Sequence, residues 1–146
     1  MNTTAHHTTS PDTAAASGGG LNWLLIIGLG VLALIRPVFS IAGFSDALGK
    51  PATPIILTVA ISLVWVFAVG LSRVPRPVLT LVLAGVVYAV LAIALSAVLS
   101  PLLSGELQGP LQNPAAVVSV LITNVVWGAV AGLIALSLRR VRARRH

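Results

Sequence analysis

Few side chains in this sequence can do chemistry, and two of them interrupt apolar runs. Asn124 lies within VVSVLITNVVWGAV, and Arg36 lies within GVLALIRPVFSIAG. A carboxamide can hydrogen-bond a neighbouring helix or a polar ligand, and a guanidinium can hold a carboxylate or phosphate. The acids are Asp12, Asp46 and Glu106, the histidines are His6, His7 and His146, and cysteine is absent. No nucleophile–base pair can be assembled from these inside the apolar runs. Two adjacent histidines without further ligands do not make a metal site. The expectation is a protein that is not an enzyme and holds no metal or cofactor.

Composition sets the frame for these residues. Of 146 residues, 57% are hydrophobic and 8% are charged, with 9 Lys+Arg against 3 Asp+Glu. Soluble globular chains carry about 25% charged residues. The mean hydropathy of +1.02 therefore points to an integral membrane protein. A soluble enzyme, a disordered chain and a disulfide scaffold are all excluded.

A hydrocarbon core of about 30 Å needs roughly 20 apolar residues of helix. Four such spans read along the chain: about 21–44, 54–71, 78–99 and 114–138. Residues 1–20, rich in Thr, Ala, Ser and Gly, read as a disordered tail without the pattern of a signal peptide, and residues 139–146 as a basic tail. Arg36-Pro37 predicts a kink, because proline lacks the amide hydrogen and clashes with the preceding turn. Thr53-Pro54 and Asn113-Pro114 read as a cap followed by proline at the first helical position. Ser100-Pro101 reads as the end of the third span. The runs are long and continuously apolar, which favours an all-α four-helix transmembrane bundle over barrel strands.

These spans would position the polar groups as follows. Asn124, about ten residues into the fourth span, falls near the bilayer middle. A buried amide needs a partner there, with Ser62 and Thr58 on the second span as candidates. Gly128 and Gly132 continue the Asn124 face, a spacing that lets helix backbones approach closely. Asn124 reads either as an interhelical clamp or as a ligand for a substrate or ion. Gly85, Ala89, Ala92 and Ser96 form a second small-residue stripe, suited to a seam within one chain or between chains. Arg36 reads as a snorkelling anchor near the outer interface, or as part of an outer charge site with Asp46 and Glu106 that attracts an anion. Trp23 suits an interfacial belt, whereas Trp65, Trp127 and Tyr88 lie deeper.

Arg73, Arg76, Arg139, Arg140, Arg142, Arg144 and Arg145 would share one side of the membrane. Short Lys/Arg-rich loops stay cytoplasmic, so both termini are expected inside, in a plasma-membrane protein. These arginines read as an anchor to anionic lipid head groups, with no nucleic-acid role.

The two halves also show a weak likeness. Ile55–Ser72 aligns with Val117–Ile134, pairing Val64, Trp65, Gly70 and Leu71 with Val126, Trp127, Gly132 and Leu133. Two related helical hairpins, or chance likeness between apolar helices, would each explain it.

Two known four-helix families of similar size fit poorly. The small multidrug exporters depend on an acid in the first span, which has none here, and the Gly-rich and Arg motifs of fluoride channels are missing. The stretch RPVFSIAGFSDALGKPATPI from Arg36 to Ile55, with the ELQGPLQNP loop, resembles uncharacterised small four-pass membrane proteins of high-GC Gram-positive bacteria. That resemblance, over residues 21–138, implies four spans and brings no activity, ligand or site residues. Two functions remain open. One is a structural or accessory subunit that packs through its small-residue seams with itself, as a homo-oligomer, or with a larger membrane partner. The other is a small oligomeric transporter or channel with a polar site near Arg36 and Asn124.

Overall fold

The computed structural model describes residues 20–42, 52–106 and 109–145. Among these the regular structure is entirely helical: α1 (Trp23–Ala33), α2 (Ile35–Ile41), α3 (Ala52–Leu71), α4 (Pro77–Ser104), a 3₁₀ turn at Pro110–Gln112 and α5 (Pro114–Ala143). Four helical stretches are long and apolar enough to cross a membrane, with α1 and α2 together forming the first. The outward faces are apolar too: Leu24, Ile56 and Leu102 are 84%, 65% and 78% exposed. A helix apolar all round has no water-facing side, so these spans fit a multi-pass membrane protein.

The first span breaks at Leu34, where a turn separates α1 from α2. Pro37 sits in the first turn of α2, where its missing amide hydrogen costs no helical bond. The break thus falls just before the expected site. The helix α3 begins at Ala52, so Thr53 lies inside its first turn rather than capping it. Asn113 does cap α5, its side chain accepting the Ala115 amide at 2.9 Å.

Two helix ends fall later than the sequence predicts. The helix α4 runs through Pro101 to Ser104, beyond the expected end at Leu99. It stops where Gly105 turns left-handed at φ 74° and returns its amide to the Pro101 carbonyl. Proline is tolerated inside membrane helices because neighbouring groups take up the freed carbonyl. The helix α5 continues past Leu138 to Ala143, taking in Arg139, Arg140 and Arg142. Arginine is a good helix former, and cations at a helix C-terminus complement its dipole.

Packing centres on α4 and α5. A Cβ on Gly85 or Gly128 would collide with the carbonyl oxygens of Asn124 and Leu81, and one on Gly132 would lie 2.6 Å from the Val78 Cα. Lipid tails are as apolar as leucine, so burial alone gives helices no reason to associate. Close backbone approach, with its many dispersion contacts, takes that role. The helices α1 and α3 flank this pair. The Trp65 indole of α3 donates to the Leu29 carbonyl of α1 at 3.1 Å. Arg139 of α5 donates to the Val74 carbonyl in the turn between α3 and α4.

One end of the bundle therefore carries Arg73, Arg76 and the arginines from Arg139 to Arg145. The other carries the 3₁₀ turn. The buried apolar residues, among them Leu29, Trp65, Val69, Leu81 and Ala135, lie between the arginine-rich end and the middle of the spans. The opposite half is much more open.

Candidate functional site

In that open half, a cleft of about 440 Å³ runs between all four spans. Its walls follow from local sequence. The helix α3 contributes Thr58, Ile61, Ser62 and Trp65, which recur at helical spacing on one face. The helix α5 contributes Ser119, Val120, Thr123, Asn124 and Trp127. Tyr88, Ala92 and Ile93 come from α4, and Ala33 and Arg36 from the break between α1 and α2. Pro110 of the 3₁₀ turn completes the lining on the loop side.

Hydrogen bonding inside the cleft is specific. The Trp127 indole donates to the Ser62 hydroxyl at 2.9 Å, tying α5 to α3. Ser62 in turn donates to the Thr58 carbonyl at 2.7 Å, and Thr58 donates to the Pro54 carbonyl at 2.7 Å. Asn124 Nδ2 donates to the Val120 carbonyl of its own helix at 2.8 Å. Ser62 thus pairs with Trp127 and not with Asn124. The Asn124 backbone, rather than its amide, touches the neighbouring helix, at Gly85.

Of the residues singled out from the sequence, Arg36, Ser62, Ala92 and Asn124 come together around this cleft. Gly85, Gly128 and Gly132 instead build the α4–α5 seam beside it. The stripe Gly85, Ala89, Ala92, Ser96 is therefore not one continuous seam. Gly85 and Ala89 are buried in packing, while Ala92 and Ser96 border open space. Small side chains permit close approach only where a facing helix comes near, and otherwise leave room.

Of the expected outer charge site, Arg36 lines the cleft. Glu106 lies beyond the end of α4 and outside the cleft lining, and Asp46 falls outside the described residues. Among the basic residues, Arg139 differs from Arg73, Arg76, Arg140, Arg142, Arg144 and Arg145. Those six are exposed, whereas Arg139 is half-buried against Val74. No group of three His, Cys, Asp or Glu side chains collects among the described residues.

Protein-family models, curated proteins and solved structures give no match to this chain. Its function must be argued from the cleft itself. Thr58, Ser119, Thr123, Trp65 and Tyr88 are lining residues that sequence reasoning did not assign to a site. Their signal was hydroxyls and aromatics at helical spacing on α3 and α5, with Tyr88 on α4, but only the tertiary arrangement turns those faces toward each other.

Proposed function

We propose that this protein is a small membrane transporter whose ligand site is the cleft between its four spans. The carrying observation is that Arg36, Ser62 and Asn124, from three different helices, line one cavity. Its volume falls in the range of about 300–1,000 Å³ usual for small-molecule sites. A few polar groups set in an apolar and aromatic wall are the usual composition of such sites. The packed half beneath, around Trp65 and Val69, closes the cleft toward the arginine-rich end. Alternating access requires a site near the middle of the membrane that opens to one side at a time.

The accessory-subunit reading has weaker support, because the glycine seam it would use is filled within the chain, by α4 against α5. In the orientation we favour, the arginine-rich end faces the cytoplasm of a plasma-membrane protein and meets anionic lipid head groups. The cleft then opens toward the outside. Self-association belongs to the same reading, and no catalytic step does.

The test is purification of the full chain in mild detergent, followed by mass spectrometry of everything bound to it. We expect a small molecule or lipid on the native protein that is lost from Ala92→Phe, which fills the cleft. A second protein at stoichiometric level, with no such ligand, would overturn the transporter reading in favour of the accessory subunit.

A further inference from the structure

We infer that the cleft takes an organic anion with an apolar body, its charged group held at Arg36. This rests on the ligand-binding reading above and names the class of ligand.

Arg36 borders two spaces. It lines the central cleft, and it also lines a second cavity of about 280 Å³ with Ser40, Pro54 and Ser96. These residues lie nearer the loop end, so Arg36, itself exposed, stands where the two spaces meet. A ligand entering from the loop end would meet it before reaching the deeper cleft.

The sign of the charge follows from the lining. Among the described residues no acidic side chain lines either cavity, and Arg36 is the one formally charged side chain in both. A cation would leave its hydration shell for a site whose charge repels it. An anion gains a planar donor suited to carboxylate or phosphate, and it neutralises a charge held within a span.

The need for an apolar body follows from the deeper wall. Below Arg36 the cleft presents Ile61, Trp65, Tyr88 and Ile93. A small inorganic anion there would exchange its water for few donors, since Thr58, Ser62, Trp65 and Trp127 already donate within the protein. An alkyl or aryl group would instead meet surfaces that bind it by contact and dispersion.

The experiment uses the full chain carrying Trp23→Phe in phosphatidylcholine nanodiscs, so that emission comes from Trp65 and Trp127 at the cleft. The probes are octanoate, octanol, octylammonium and acetate. Octanoate is expected to shift the emission at a concentration at least tenfold lower than the other three. Arg36→Gln should abolish that preference with Tm preserved, and Arg36→Lys should retain part of it. Should Arg36→Gln fail to fold, the octanoate-to-octanol ratio of the native chain and of Arg36→Lys carries the test.

Phosphatidylglycerol added to the nanodiscs distinguishes the source of the anion. Competition with octanoate that depends on Arg36 identifies a lipid head group, and its absence identifies a free organic anion. Equal response to octanol and octanoate, preference for octylammonium, or a preference that survives Arg36→Gln overturns this inference and leaves a ligand site standing. No emission change with any probe overturns the ligand site as well.

Discussion

Ser62 and Trp65 are three residues apart on α3 and do different work. Ser62 receives the Trp127 indole at the cleft wall, while the Trp65 indole reaches the Leu29 carbonyl within the packed half. Ser62→Ala should lower stability by about 0.6 kcal/mol, the usual worth of an interhelical hydrogen bond in a bilayer. Trp65→Phe should cost about 2 kcal/mol, because it loses its bond and also leaves a void among close-packed neighbours. Unfolding in graded denaturing detergent compares the two, and an equal or smaller loss for Trp65→Phe would count against the packed half as the anchor of the bundle. The sequence marked Ser62 as a polar group at the right depth. It could not show that Trp127 rather than Asn124 is its partner. The two are three residues apart on α5, about 60° in direction and nearly one turn along the axis, and helix rotation is set by packing at Gly85 and Gly128.

Glycine makes a sharp contrast between helices. Gly128 lies against the Leu81 backbone, whereas Gly28 has nothing within 4 Å of where a Cβ would stand. Gly128→Ala should therefore destabilise by about 1–3 kcal/mol through overpacking, since a backbone cannot swing aside as a side-chain tip can. Gly28→Ala should be neutral, or stabilising by up to about 1 kcal/mol from helix propensity. Thermal melts of the two variants in detergent check this pair, and matching effects would mean that α4 and α5 do not approach as closely as described. The GxxxG spacing at Gly128 and Gly132 was legible beforehand, but its partner helix was not. Helix ends were also only partly legible. Ser100-Pro101 resembles a stop signal in water, yet α4 passes through it to end at Gly105.

The molecule as a whole is divided along its length into a packed half and an open half. That division suits a site that opens to one side, and its meaning depends on orientation. A phosphatase reporter that works only outside the cell should be inactive when fused after His146 and active when fused after Glu106. The reverse pattern would turn the cleft toward the cytoplasm. The charge distribution supports this expectation, since seven of the nine basic residues lie at the end bearing Arg73 and Arg139.

The sequence alone was enough for the class of protein, the number of spans and the end that gathers the arginines. Those properties depend on composition and on distance along one helix, and both are local. Which faces meet is not local. Apolar surface surrounds each span, so hydropathy does not single out an inward face as it would in water. Close backbone approach at Gly85, Gly128 and Gly132 sets the rotation of α4 against α5. That rotation turns Asn124 and Trp127 toward Ser62 of α3 in one cleft, with Arg36 at its edge.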